Sequence, residues 1–445
     1  MSKQHAPTSV RILSLTLVLA LLVAVSSLAS AQPRAASTTI IELAKLTATD
    51  VEAEDWFSYY VSISGDTVVL GAPQHDGDGA GAAYLFERDE GGPGNWGQVA
   101  KLNASDAAAG DDFGWSVSIS GNTVVVGAPR ADEVDTDSGA AYLFQRDTDG
   151  LGNWDQVAKI TASDGNGSDG FGWSVSISGD TVVVGAPFDD DNGDLSGSAY
   201  VFERPQSGWT NVTETAKLTA SDGTNLDYLG RSVAVSGDTV VAGAQGAAYV
   251  GSAYLFVKPD SGWVNMSETV QLMSSDGATE DRFGGSVSLS GDTLVVGAPG
   301  DDDGGFGSGS AYLFERNAGG AENWGQVAKL TASDPDGGDQ LGGSVSISGD
   351  TVVAGAVFDE DLGEGSGSAY LFREPLAGWT NMSEMVKLSA SDGSTEDHFG
   401  YSVSLSGDTL AVGAPGSEER GATYMFFSFT PVTSVYLPVV LRAAP

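Results

Sequence analysis

One segment, close to Ser-Val-Ser-Ile-Ser-Gly-Asp-Thr-Val-Val-Val-Gly-Ala-Pro, returns seven times along this chain, and no other feature limits the fold so tightly. Its Gly-Ala step begins at Gly71, Gly127, Gly185, Gly243, Gly297, Gly355 and Gly413, at intervals of 54 to 58 residues. Self-similarity at a fixed period marks a repeat architecture, in which each copy buries its apolar surface against its neighbours.

Each copy divides into four β-like runs. In the second copy these are residues 115–120, 123–127, 139–146 and 154–161. The first alternates Trp115, Val117 and Ile119 with Ser116, Ser118 and Ser120, the period of two expected of a strand. The second is β-branched throughout, as suits a strand buried on both faces. Ser120-Gly121-Asn122, like its Ser-Gly-Asp equivalents, is the tight connection between them. Four short antiparallel strands, seven times over, predict an all-β fold, a seven-bladed β-propeller.

The chain ends bear on closure. The last copy stops after three strands, at Ala422-Thr423-Tyr424-Met425-Phe426, while residues 40–50 align with the fourth strand and following loop at 154–164. The N-terminal strand is therefore expected to complete blade seven, which leaves no free sheet edge. The expected divisions are a signal peptide at 1–31, a linker at 32–39, the propeller at 40–426 and a tail at 427–445.

Phe113-Gly114 followed by Gly127-Ala128-Pro129 resembles the FG-GAP repeat, the unit of the integrin α-subunit propeller and of many exported bacterial proteins. Phe-Gly is intact at Phe113, Phe171, Phe283 and Phe399, and reads Leu229-Gly230, Leu341-Gly342 and Phe57-Ser58 elsewhere. The resemblance implies adhesion, and calcium held between Phe-Gly and Gly-Ala-Pro. Here that interval holds only a short hairpin such as Ser178-Gly179-Asp180-Thr181, too poor in oxygen ligands for calcium, so the family's metal position does not carry over.

Lys3 and Arg11, an apolar run from Ile12 to Val25 and Ala29-Ser30-Ala31 read as a cleavable export signal. The mature chain then has no membrane-spanning segment and is expected to be secreted or held at the cell surface. The tail, with Tyr436-Leu437-Pro438, reads as a surface-retention signal or an added strand. Sixty acidic residues against 20 basic ones give a net charge of −40, which repels nucleic acid and anionic lipid. The absence of cysteine excludes disulfides and thiol chemistry.

Candidate site residues are acidic. Asp recurs at i and i+5 in every lead-in loop, from Asp50/Asp55 to Asp392/Asp397, where turn N–H groups are the expected partners. The loops between the second and third strands are longer in blades two, three, five and six. Those of three, five and six supply Asp189, Asp190, Asp191, Asp194, Asp301, Asp302, Asp303, Asp359 and Asp361 as candidate ligands for Ca²⁺. His75 and His398, in blades one and seven, are expected to neighbour each other across the closure. Six tryptophans, among them Trp154, Trp209, Trp263 and Trp379, are expected to open outer strands and pack between blades. Asn103, Asn166, Asn211, Asn265 and Asn381 are glycan acceptors in a suitable secretory host.

The function expected is that of a monomeric extracellular binding or adhesion module recognising a protein or glycan, without catalysis or a firm cofactor. The alternatives are a carbohydrate-active enzyme that uses the loop carboxylates, and a structural surface protein.

Overall fold

Serine alternating with an apolar residue makes the first strand of each copy two-faced. In the second copy it is Ser116–Ser120, paired antiparallel with Thr123–Ala128. Gly121 takes a φ of 56° in the turn between them, a conformation glycine adopts without penalty. Ala140–Arg146 and Trp154–Ile160 follow, each antiparallel to the strand before. Val124, Val125 and Val126 of the second strand are wholly buried, because neighbouring blades cover both faces.

The computed structural model describes residues 39–75, 79–147, 152–320 and 323–429. The expected signal peptide, nearly all of the linker and the tail beyond residue 429 lie outside them. Residues 41–427 form one unit of seven sheets. The seventh sheet holds Ser402–Ser406, Thr409–Ala414, Ala422–Phe429 and, at its outer edge, Thr39–Leu46. The ring closes as the terminal alignment requires.

The repeat signature is the joint between blades. Phe171, opening blade three, bridges Gly139 at the head of the third strand of blade two. A Cβ on Gly172 would stand 2.3 Å from the carbonyl oxygen of Ala140, and one on Gly127 would stand 2.0 Å from that of Gly172. Each lead-in loop thus crosses the preceding blade at backbone contact distance, where no side chain fits. Ser116 adds a latch, its hydroxyl donating to the Gly172 carbonyl at 2.8 Å.

The outer strands come in two forms, and one departs from expectation. Trp96–Leu102, Trp154–Ile160 and Trp324–Thr331 open on tryptophan. In blades three, four and six the outer strand is Ala216–Thr219, Val270–Leu272 or Val386–Leu388, and Trp209, Trp263 and Trp379 stand several residues ahead of it. Asp89 and Asp147 donate their N–H groups across the longer hairpins, to the carbonyls of Asn95 and Asn153. Pro205, Pro259 and Pro375 occupy the same position and have no N–H to give.

The freed segment clasps the preceding blade. Asn265 accepts the Lys217 N–H at 2.9 Å, Met266–Ser267 pairs in parallel with Ala216–Thr219, and Glu268 accepts from the N–H and hydroxyl of Ser221. Asn211 and Asn381 bind Lys159 and Lys329 in the same way. Three of the five glycosylation motifs therefore sit within a structural clasp. The tryptophans pack between blades as expected: Trp263 joins Leu218 of blade three and Tyr254 of blade four in one apolar cluster.

Candidate functional site

The lead-in loops and the second-to-third-strand loops share one face, since Phe188 N–H donates to the Asp169 carbonyl and Gly300 N–H to that of Asp281. On this face each third-strand tyrosine meets an outer-strand residue, usually lysine. In blade five the Tyr312 hydroxyl donates to Asp301 at 2.5 Å, and Lys329 Nζ lies 2.9 Å from Asp276, 2.9 Å from Asp301 and 2.5 Å from Asp303. Blade three repeats this with Tyr200 and Lys217 on Asp164, Asp189 and Asp191. Blade six does so with Tyr370 and Lys387 on Asp334, Asp359 and Asp361. Burial works against the charge of these lysines, but three carboxylates in contact outweigh it and hold each ammonium above its usual range.

Six of the nine candidate calcium ligands are thus gathered around a lysine. The other three are not: Asp302 accepts the Gly307 N–H at 2.7 Å, while Asp190 and Asp194 are exposed on their loop. Asp303, Asp191 and Asp361 form the outer member of each nest and Asp301, Asp189 and Asp359 the buried one. Calcium needs about six to eight oxygens around an open centre, and here a lysine nitrogen occupies the centre. As arranged, these donors do not fit the ion, and among the described residues no group of three or more His, Cys, Asp or Glu is set to hold a metal.

Differences among the copies support an internal ion-pair role. Blade four has Ala247 where Asp301 stands and Gln271 where Lys329 stands, so carboxylate and ammonium vanish together. Gln271 then bonds Asp222, Ser252 and Tyr254 as a neutral donor. Blade one places His75 at that position, buried, with Nδ1 2.8 Å from Asp55 and Nε2 2.6 Å from Lys101 Nζ. His398 lies elsewhere, at the axial mouth, edge-on to Phe358 and 3.3 Å from Glu396. The two histidines are not brought together, because one belongs to an outer nest and the other to a lead-in turn.

The paired lead-in aspartates divide their work. The second member accepts a turn N–H, as Asp169 does from Asn166 and Asp281 from Ala278. The first joins the nest, as Asp106 does with Lys159 and Asp392 with Lys45.

Toward the axis the copies cease to agree. The residue before Phe-Gly takes a left-handed φ of 56° to 66° in all seven: Trp56, Asp112, Gly170, Tyr228, Arg282, Gln340 and His398. This conformation costs a non-glycine residue about 1 kcal/mol or more. The residue after the motif then donates its N–H back to the same turn, Trp115 to the Asp112 carbonyl and Gly343 to that of Gln340, both at 3.0 Å. The backbone is constant and the side chains are not.

Tyr59, Trp115, Trp173 and Tyr401 form an arc in ring contact. Tyr59 lies 4.6 Å from Tyr401 and 5.1 Å from Trp115, and Trp115 lies 4.7 Å from Trp173, centre to centre. Arg231 continues the arc with its guanidinium 4.6 Å from the Trp173 ring centre. Blades five and six offer only Gly285 and Gly343, and the space left is a cavity of about 450 Å³. Arg231, Arg282, Gln245, Gln340, Phe358 and Tyr401 line it above the serines and valines of the inner strands. Tyr60, which replaces the latching serine of the other blades, also lines it, and burial pushes its phenol up. No local motif marks these residues in the sequence. Their signal is variation at the positions that flank Phe-Gly and follow Gly-Ala in an otherwise repetitive sequence.

The family model described as FG-GAP repeat matches residues 41–86, 96–144, 154–202, 212–256, 266–314, 324–372 and 382–426. Each stretch runs from the outer strand of one blade to the third strand of the next, and so takes in the joint. No curated protein matches the chain. FG-GAP repeats are typical of extracellular proteins, and their propellers are ligand-binding or structural modules, generally without catalysis. No helix among the described residues is long and apolar enough to cross a membrane. Seven matched repeats forming seven blades show that the chain belongs to the FG-GAP repeat family.

Proposed function

We propose that this chain is an exported binding module that recognises an extracellular protein or glycan on the face of the lead-in loops, centred on the axial mouth. The observation that carries this reading is the variation of side chains at the mouth on a constant backbone turn. Seven copies keep one strained backbone turn and place a different set of side chains on it, leaving one open cavity. Exposed apolar residues on the neighbouring second-to-third-strand loops, including Tyr249 at 77 % and Phe306 at 79 %, extend the contact surface outward. The acidic loops support the face and hold their own charge: Asp189, Asp301 and Asp359 are tied to lysine and tyrosine, which suits neither calcium bridging nor general acid–base work.

A screen of immobilised glycans and matrix proteins tests this, run with the wild type and Gly343→Trp. Position 343 shares its turn with Trp115, and a Cβ there meets only the Gln340 carbonyl, at 3.3 Å, so the variant is expected to fold and to fill the cavity. Ligand capture by the wild type and its loss in the variant are expected. Equal capture by both would move the site away from the mouth.

A further inference from the structure

Basic residues in this chain are scarce, and most of those among the described residues are ion-paired. Of sixteen lysines and arginines among the described residues, thirteen contact a carboxylate, and the three that do not are Arg231, Arg282 and Arg420. Two of those three line the axial cavity, and no Asp or Glu lines it with them. In a chain with 60 acidic residues against 20 basic ones, this cavity is an island of uncompensated positive charge.

The other polar groups agree in sense. Burial pushes the phenols of Tyr60 and Tyr401 upward, with Arg231 pulling the other way, so both remain O–H donors at neutral pH. Gln245 and Gln340 add amides that can serve hydroxyl groups. Phe358, about two-fifths exposed, and Tyr401 present flat apolar surface at the rim. About 450 Å³ is more than a bare inorganic ion fills and within the range of small-ligand pockets.

Building on the mouth as the binding site, we propose that the axial cavity receives an anionic sugar unit of a glycan, its acid group paired with Arg231 and Arg282 and its ring against Phe358 and Tyr401. Guanidinium binds carboxylate or sulfate through paired N–H donors, which a lysine does not match. The rest of the molecule imposes a signature. A net charge of −40 repels an anionic chain at long range, and salt screens that repulsion. The contact inside the cavity is screened far less. Association is therefore expected to quicken as salt rises from low to physiological strength, the reverse of a basic-patch binder.

The test titrates the full mature protein with oligogalacturonate, its methyl ester, a sulfated oligosaccharide of equal length and an oligoglutamate peptide. Binding of the uronate or the sulfated sugar, with the ester at least tenfold weaker, is expected, and the two acidic arms identify which acid group is preferred. Arg282→Met, exposed and without an ion partner, and Arg231→Met are each expected to weaken binding at least tenfold; Arg282→Met is expected to leave the unfolding midpoint unchanged. Equal binding of the ester, tighter binding of oligoglutamate, or indifference to both arginine variants would overturn the proposal. Should no sugar bind while a screened protein ligand is still lost in Gly343→Trp, the anionic-sugar inference fails and the mouth as binding site stands.

Discussion

The outer nests and the axial mouth lie on one face of one ring, yet they treat charge in opposite ways. In blades three, five and six, three carboxylates converge on one buried or half-buried lysine, so that every cation of the nest is paired. At the mouth, Arg231 and Arg282 face a cavity without carboxylates. The nests of blades three, five and six also repeat one arrangement, whereas the residue before Phe-Gly at the mouth differs in every blade. A feature repeated around a ring serves the ring, and its site is where the repetition fails. The acid-rich loops dominate the sequence, but in the fold they act as scaffold.

The sharpest test of this contrast sets one glycine against another. Gly185→Val places a Cβ where the Gly230 carbonyl oxygen lies 2.0 Å away, on the joint that every blade shares. Loss of folded protein is expected, or destabilisation beyond about 4 kcal/mol by urea unfolding. Gly343→Trp at the mouth is expected to stay within about 1 kcal/mol of wild type. Similar costs at the two positions would mean that the mouth is as structural as the joint.

Next in size is the lysine at the centre of a nest. Lys329→Met leaves the buried Asp301 and its partners uncompensated, and breaking a buried pair costs about 3–5 kcal/mol. The triple variant Lys329→Gln with Asp301→Ala and Asp303→Tyr copies blade four, where Gln271, Ala247 and Tyr249 coexist, and is expected to recover most of that loss. Failure of the triple variant to recover would show that the nest depends on more than charge balance.

Much of this fold was legible because its determinants are local and recur. Alternation at Ser116–Ser120, the β-branched run at Thr123–Ala128 and the turn at Gly121 each follow from short-range sterics, and sevenfold repetition multiplied the signal. Closure was legible from residues 40–50. The partners of Asp301 were not, since Lys329 lies 28 residues away and no pattern in the loop itself distinguishes an ammonium from a calcium ion as its counter-charge. The mouth was hidden for a further reason. Tyr59, Trp115, Arg231 and Gly343 come together only once the ring closes, and each alone looks like a harmless deviation from the repeat.

A smaller effect separates the lead-in aspartates by pH. Burial raises the carboxyls of Asp169 and Asp339 to about 6, with Asp189 and Asp359 nearby adding to the rise. The nest carboxyls of Asp106, Asp164 and Asp276 shift downward: burial opposes this, but bonds to lysine prevail. An aspartate raised in the fold favours folding while protonated, so its contribution fades as pH rises from about 4, the unfolded value, through about 6. A lowered aspartate contributes above the unfolded value and loses its share as pH falls below it. The melting temperature is therefore expected to peak between these limits and to decline toward neutrality, and Asp169→Asn with Asp339→Asn is expected to flatten the decline while leaving the acid limb in place. A flat profile in the wild type would contradict the assignment.

The smallest expected effect is that of calcium, and it bears on the opening contrast most directly. A cation that enters the nest of blade five must displace Lys329, which already lies within 2.9 Å of Asp276, Asp301 and Asp303, and must then leave that ammonium unpaired in a buried place. Binding to the folded state raises the midpoint only when ligand exceeds its dissociation constant, and this exchange works against a tight one. Millimolar calcium and chelator are thus expected to give the same unfolding midpoint within about 1 °C, given the few degrees that each kcal/mol brings in a domain of this kind. A calcium-dependent rise in the wild type that disappears in Asp301→Asn would restore the long loops as ligand sites. A rise seen in Lys329→Met alone would confirm instead that the lysine holds the place a metal would take.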